Sequence, residues 1–472
     1  MLGIPLFCRR LPACPLRAGG ATVGFGFIFA SGCATTAGSA SYETAQVEYQ
    51  RSAQQGSQGS QSTRDDTAAG LKANVLDRGA YVRAVLERNP TVESARQGWR
   101  AALARVKGSG SHEDPMIDFG FAPLSIGSSE ARFGYEVGIS QRLPWFGKRG
   151  FEASAAEAEA NASKSDYEAM KRDLALSAVV LYDQYFIAVR SIEINAHHVE
   201  LVHAIRDAAA AQFRTGRASV QDPLQAETQL AHLEHDAATL ASQRDVTVAQ
   251  MNELLHRAPG LPLPPPPAEL VMPAIPGSGE TDHLQSDAIA HRSEITAAHQ
   301  RAQGAQARAA GADRQSYPDV TVSTSYSSMW DMPEHRWMVG VGLSLPILTG
   351  RRAGASDEAQ AMHAQFEAEA SRMTAAARTQ VFVAVNKLRE SEQVIGIFEK
   401  RLVPLAHAQL DAARAGFTAS QNPFMAVMEA ENNLRSVELD YQIARAECDR
   451  RTAELERALG RIPGLDAQQD KP

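Results

Sequence analysis

Three observations predict a mainly helical chain that also carries a β part suited to a membrane. Residues Phe151 to Arg214 contain neither glycine nor proline and are dominated by Ala, Glu, Lys and Leu. Four short segments alternate between apolar and small polar residues. A single offset of 204 residues relates matching passages in the two halves of the body. A duplicated unit of strands and long helices is therefore the expected architecture.

Composition narrows the function. The 472 residues are 44% apolar and 22% charged, and 47 basic against 55 acidic side chains leave a formal charge of −8. That balance opposes a nucleic-acid binder, which needs a basic face. No uninterrupted apolar run reaches the roughly 18 residues of a spanning helix, which excludes a polytopic inner-membrane protein. Four cysteines without a close C-x-x-C pair exclude a disulfide scaffold and a thiolate zinc site.

Residues 1–32 read as a secretory address. They hold Arg9, Arg10 and Arg17 and no acid, then a short apolar stretch from Ala21 to Ala30, then Ser31 and Gly32 before Cys33. Cysteine directly after Ala-Ser-Gly resembles the lipobox of bacterial lipoproteins, in which that cysteine is acylated and becomes the mature N-terminus. A plain signal peptide that happens to contain a cysteine is the alternative. Cleavage would remove three positive charges and take −8 to −11. Residues 33–74 are dense in Ser, Gln, Gly, Thr and Ala, too polar to offset their ordering entropy, so a flexible tether is expected there. Cys448 is the one thiol of the body and reads as a small packing residue in a helix.

The repeat organises the rest. Val137-Gly138-Ile139-Ser140 recurs as Val341-Gly342-Leu343-Ser344, Phe213 as Phe417, and Leu255 as Leu459, all 204 residues apart. Ala226-Glu227 with Leu230 recurs as Ala430-Glu431 with Leu434 at the same offset. A first repeat over 75–257 and a second over 281–461 are separated by a proline-rich linker, 258–280, and followed by a tail, 462–472. Pro264 to Pro267 must be extended rather than helical.

Each repeat has two alternating segments, expected as strands at about 115–122, 132–142, 318–327 and 336–345. Ile117, Phe119 and Phe121 alternate with Asp118 and Gly120; Phe133, Tyr135, Val137 and Ile139 alternate with Gly134, Glu136, Gly138 and Ser140. Val320, Val322, Thr324 and Tyr326 alternate with Thr321, Ser323, Ser325 and Ser327; Trp337, Val339, Val341, Leu343 and Leu345 alternate with Met338, Gly340, Gly342 and Ser344. One face is apolar with aromatic ends and the other small and polar, the pattern of strands between lipid and a wet interior. At about nine to eleven residues each, such strands are long enough to cross a bilayer. Any one alone would also fit a half-buried soluble hairpin. Four strands cannot close, and open edges are not tolerated in lipid, so the chain must oligomerise to complete a barrel.

Long helices are expected at about 147–214 and 351–415, the first on the order of 95 Å long. Leu174, Ala178, Leu181, Tyr185, Ala188, Ile192, Val199 and Val202 follow the three-and-four spacing of a coiled-coil seam. The second helix carries Gly396 and Pro404, where a bend is expected. Asp222-Pro223 and Asn422-Pro423 are expected to place a capping residue before a proline at the first helical position. The distance from phenylalanine to proline is ten residues in the first turn and six in the second, which predicts a second turn shorter by four.

This architecture resembles the TolC-type outer-membrane efflux proteins. The carrying passages are the doubled strand-to-helix junctions, from Val137 through Leu143-Pro144-Trp145-Phe146-Gly147-Lys148-Arg149, and from Val341 to Pro346. The tips Phe213-Arg214-Thr215-Gly216 and Ala430-Glu431-Asn432-Asn433-Leu434 agree, as does the terminal Ala453 to Gly460. The resemblance implies a homotrimer whose four strands per chain make a 12-stranded barrel, with the helices forming a periplasmic tunnel. It implies an inner-membrane pump of the RND type and a periplasmic adaptor that docks on the helical tips. The Leu143 to Arg149 phrase is most similar to members serving cobalt-zinc-cadmium and copper-silver pumps.

Several residues are candidate sites. Gly147-Lys148 fails as a phosphate loop, because Arg142 stands where that motif needs glycine and Arg149 where it needs Ser or Thr. Thirteen histidines raise a metal reading. Folding the first hairpin about its turn would bring His203 near His232 and His198 near His235, in one patch roughly 20 Å from the tip. A solvated helix face is the favoured reading of all four. Met425 and Met428 could be soft ligands, although packing is the favoured role. Asp222 is expected to cap its helix and, copied in three chains, to form a carboxylate ring at the aperture. Thr215, Gly216, Ser219, Thr418 and Ser420 are the expected adaptor contacts. No catalytic, cofactor or resident metal site is expected. The leading function is a passive outer-membrane exit duct for heavy-metal cations, anchored by lipid on Cys33 with a large periplasmic part. The alternatives are a duct for drugs, or a lipid-anchored coiled-coil adaptor or tether.

Overall fold

A computed structural model describes residues 42–52, 54, 74–127, 129, 133–271, 277, 279–347 and 349–465. The chain divides into two units, 1–36 and 37–472, and every described residue lies in the second. The expected signal segment, Cys33 and most of the tail lie outside the described residues.

Both repeats run helix, helix, strand, strand, long helix, return helix. In the first these are α1 (Arg78–Arg88), α2 (Pro90–Ser109), β1 (Met116–Phe121), β2 (Tyr135–Leu143), α3 (Lys148–Arg214) and α4 (Gln221–Leu254). In the second they are α5 (Thr281–His291), α6 (Ser293–Arg314), β3 (Asp319–Ser327), β4 (Trp337–Ser344), α7 (Thr349–Ile397), α8 (Val403–Thr418) and α9 (Phe424–Ala458). Asp77 caps α1 by accepting from the Ala80 N–H at 2.7 Å. Asn89 ends α1 and caps α2 through Thr91 N at 2.9 Å, with Pro90 opening α2 where its missing donor costs nothing.

Residues 42–52 correct the expectation of a tether without structure. They are helical, and Tyr42, Ala45 and Tyr49 pack on the buried cluster around Trp99 of α2, against which Tyr167 of α3 also packs. The Tyr49 and Trp99 rings meet edge to face with centroids 5.3 Å apart. Two tyrosines on one helical stripe bury what the polar bulk of the segment cannot.

The α3 helix is continuous for 67 residues. Leu174, Ala178, Tyr185, Ala188 and Val202 of the expected seam are buried, while Leu181, Ile192 and Val199 are half-buried. One 18-residue window of α3 is apolar enough to cross a membrane by composition, but half of it is buried inside the chain, as in a core helix. Tyr182, Phe186 and Val179 pack there on Tyr81 and Val85 of α1, Met251 of α4, and Ala446 of α9. Each such large side chain contributes about 1.5–3 kcal/mol by leaving water. The proline-rich linker runs extended across this core and offers its carbonyls, Pro265 to the Leu76 N–H at 2.8 Å and Pro264 to the Tyr185 hydroxyl at 3.1 Å. Free Cys448 is buried among Val385, Leu388 and Leu455, as a small hydrophobe.

Between Gly396 and Pro404, where a bend is expected, the second long helix departs from regular α geometry. Residues Phe398–Leu402 form one π-helical turn between α7 and α8, and the Val403 N–H reaches back to the Phe398 carbonyl. Pro404 has no N–H for the Lys400 carbonyl, and the widened turn absorbs the gap.

The four strands form one antiparallel sheet in the order β1-β2-β3-β4. They are six, nine, nine and eight residues long, so β2 and β3 reach the lower end of the nine to eleven expected and β1 and β4 fall short of it. Pro123 opens a tight turn directly after β1, and β2 begins at Tyr135 rather than before Phe133.

Candidate functional site

The sheet register assembles two chemically different faces. Phe119 stands opposite Val137, Val137 opposite Tyr326, and Tyr326 opposite Trp337. Val322 stands opposite Val341 and Val320 opposite Leu343. This face is apolar across all four strands yet open: Phe119 is 66% exposed and Val339 80%. On the other face Asp118 pairs with Gly138 and Gly138 with Ser325, while Ser323 stands opposite Gly340. Every residue of β1 is exposed, on both faces. Among the described residues β1 pairs only with β2 and β4 only with β3, so both edges are open. Such an apolar face exceeds what single exposed residues explain, and it marks a surface meant for another medium.

Asp319 holds the sheet to the helices. Its carboxylate accepts from Arg142 at 2.7 Å, from Lys148 Nζ at 2.7 Å and from the Trp145 N–H at 3.1 Å. The Lys148 ammonium also donates to the Tyr317 carbonyl at 2.8 Å, and Trp145 stacks on Tyr317. Gly147, at φ +93°, makes the corner before α3. Thus the Leu143 to Arg149 phrase is a structural corner, and its lysine is committed to a carboxylate. Asp319 was not apparent in the sequence, because its partners lie 171 to 177 positions away.

The tips depart from expectation. Gly216 (φ +73°) and Ser420 (φ +58°) take the left-handed conformation 204 residues apart, so the offset holds inside the turns and no four-residue shortening exists. The prolines are simply not equivalent: Pro223 lies inside α4, whereas Pro423 occupies the cap position of α9. Asp222 also lies inside α4 rather than ahead of it. The Ser219 hydroxyl accepts from the Gln221 N–H at 3.2 Å, while Asp222 accepts from the Ser219 N–H at 3.3 Å. These two bonds tie Ser219 and Asp222 to the turn, while Val220, whose side chain makes no capping bond, holds the cap position of α4. Asn422 likewise is not the cap; it lies over Gly416, where a Cβ would come within 2.2 Å of its amide. Thr215, Gly216, Ser219, Thr418 and Ser420 are all exposed. The Thr215 and Thr418 hydroxyls, however, donate to carbonyls of their own helices, Gln212 at 2.9 Å and Arg414 at 2.8 Å.

The four-histidine patch does not form. Asn195 of α3 donates to the Leu233 carbonyl of α4, a register that sets His198 about one and a half turns from His235. His203, His232 and His235 are exposed, and His198 is fully buried on another face. Among the described residues no group of His, Cys, Asp or Glu side chains has an arrangement that could hold a metal ion. Met425 is exposed and Met428 buried, so the two do not share a pocket.

His198 instead lies between two carboxylates of α9. Its Nδ1 is 2.8 Å from Glu431 Oε1 and its Nε2 is 3.0 Å from Glu438 Oε2. Burial works against the charged ring, but its hydrogen bonds to Glu431 and Glu438 outweigh it and raise its pKa. For Glu438 burial alone would raise the pKa; the bond to His198 overrides this and lowers it. A second buried cluster joins α1, α3 and α9: Asp183 beside Asp449, whose carboxylate binds Arg78. Burial, and then the charge of Asp449, hold the Asp183 carboxyl well above the usual range.

The model of the family described as outer membrane efflux protein matches this chain twice, over residues 81–256 and 284–461. The chain belongs to that family. Both matches cover one helix-strand-helix repeat. The cobalt-zinc-cadmium resistance protein CzcC of Cupriavidus metallidurans is 22% identical over 319 residues, covering 67% of this chain and 74% of that protein. Among solved structures, the outer-membrane channel OprN is similar at a TM-score of 0.70 and 20% identity, covering 81% of this chain and 89% of that one. CusC, whose crystal structures concern folding and transmembrane channel formation, is similar at 0.70 and 17%, covering 83% and 94%. At these identities the two structures establish a shared fold.

Proposed function

We propose that this outer membrane efflux protein is the passive exit duct of a tripartite system, for heavy-metal cations delivered by an inner-membrane RND-type pump through a periplasmic adaptor. The observation that carries the reading is the sheet: four strands, apolar on one face and small and polar on the other, open at both edges and joined directly to two long helical hairpins. Open edges cannot face lipid, so partner copies must complete the ring. Three copies of the four-stranded sheet give 12 strands. In this reading residues 1–32 are the signal, Cys33 carries lipid, and the two repeats and their linker fill 75–461. Thr215, Gly216, Ser219, Thr418 and Ser420 form the adaptor-docking tips, and Asp222 lines the aperture.

The metal assignment draws on the likeness to CzcC, a cobalt-zinc-cadmium resistance protein. Growth of a deletion strain, complemented and uncomplemented, across copper, silver, zinc, cobalt, cadmium and hydrophobic drugs tests it. Selective, complementable metal sensitivity is expected. Sensitivity to drugs alone would overturn the metal assignment and leave the duct.

A further inference from the structure

The buried His198 cluster serves no part of the duct reading. His198 belongs to the long helix of the first repeat, and Glu431 and Glu438 to the return helix of the second. Both ring nitrogens face carboxylate oxygens, at 2.8 and 3.0 Å. A neutral imidazole has one N–H and one lone pair, so it can donate to only one of these carboxylates. The other contact would set a lone pair against an anion, away from water. The arrangement therefore requires one more proton than a neutral ring beside two carboxylates supplies. An imidazolium donating in both directions satisfies it.

The other charged groups nearby do not remove that need. On α8, His407 Nε2 is 3.4 Å from Glu438 Oε1, a further donor to the same carboxylate. On α3 itself, the exposed His197 ring meets His198 edge to face with centroids 5.9 Å apart. On α4, Asp236 is taken up by Arg435 of α9 and by His235. Glu431 is fully buried and its Oε2 has no partner, so His198 is its one hydrogen-bonding counterpart among the described side chains.

We propose that His198, Glu431 and Glu438 form a proton-held latch between the hairpins of the two repeats, and that loss of its proton lets these hairpins part. The link to parting rests on the duct reading; the latch itself rests on the cluster. The sign follows from linkage: a histidine whose folded-state pKa is raised stabilises most below its unfolded value near 6.5. That stabilisation is lost as pH rises through the folded-state value.

The test compares the purified full chain with Glu438→Gln and His198→Gln in detergent. Tm is measured from pH 5.5 to 9, and conductance in planar bilayers over the same range. A glutamine at 438 can donate to the lone pair of a neutral ring, so both hydrogen bonds survive deprotonation. Glu438→Gln should keep its Tm at alkaline pH where the wild type loses it, and its conductance should stay flat where that of the wild type rises. His198→Gln should begin with a lower Tm and lack the same loss. Asp183 is common to all three proteins, so its own pH dependence cancels. Equal Tm slopes in wild type and Glu438→Gln would overturn the latch, whether or not the chain conducts. A wild-type Tm at pH 8 that rises with zinc chloride, absent in Glu438→Gln, would also overturn it, because a cation would then replace the proton.

Discussion

At the scale of single residues, the molecule places its ionisable groups where helices from different parts of the chain meet. Asp183 is buried on α3 with no ordinary donor for either oxygen, beside Asp449, which already holds Arg78. Two carboxylates in one dry site cannot both ionise cheaply, which favours the protonated form of Asp183. Because its folded-state pKa is raised, its contribution is most favourable at acid pH and falls as pH rises past the ordinary carboxylate range. Asp183→Asn supplies a permanent donor to Asp449. The variant should be at least as stable as the wild type at neutral pH, with a shallower decline of Tm between pH 5 and 9. A steeper decline would mean that Asp183 is ionised in the fold. Gly460 shows the same dependence on distant partners: at φ +81° it turns the chain after α9, and a Cβ there would come within 2.9 Å of the His291 carbonyl. Its repeat counterpart 204 residues earlier, His256, takes the same left-handed conformation at φ +53°.

At the scale of elements, the sheet divides substitutions by face. Val341 lies on the exposed apolar side opposite Val322, whereas Ser325 lies on the polar side beside Gly138. A charge at the centre of a lipid-facing strand costs about 2–4 kcal/mol, and one facing a wet interior costs little. Val341→Arg should strongly reduce the amount of assembled protein recovered from outer membranes, while Ser325→Arg should leave it near wild type. Equal recovery of both variants, followed by immunoblot of membrane fractions, would contradict a lipid-facing apolar side. The α3 helix and the π-helical turn of the second repeat show how far local pattern carries. Neither glycine nor proline interrupts 151–214, and a single helix results; Gly396 and Pro404 bracket the one irregular turn. The tips were less legible. Proline spacing pointed to unequal turns, but the backbone keeps its register through Gly216 and Ser420, and Val220 rather than Asp222 holds the cap position of α4. Proline is tolerated at several places around a helix start, so its position alone does not locate the cap.

At the scale of the whole molecule, the two repeats close against each other through a shared core near the tips. Ile205 of α3, Leu230 of α4, Leu410 and Phe417 of α8, and Phe424 and Leu434 of α9 pack in one cluster. Among the described residues the β sheet has no such closure within one chain. Mass measurement of the detergent-solubilised protein should give three copies, and unboiled samples should run as a heat-resistant oligomer on gels. A monomer in detergent would contradict the ring and favour the tether.

The duplicated architecture, the dyad strands, the place of the irregularity in the second long helix and the family resemblance were all determined by the sequence alone. Each depends on spacing along the chain, which periodicity of 2 or 3.6 residues records directly. What only the tertiary structure decided are the sites where chain-distant groups converge. Asp319 gathers Arg142, Trp145 and Lys148; His198 meets Glu431 and Glu438 instead of His235; and residues 42–52 pack two tyrosines on the cluster around Trp99. Helix-to-helix register sets those meetings. A shift of one or two residues along a helix turns a side chain to another face, so no spacing rule within either helix could have chosen the partner.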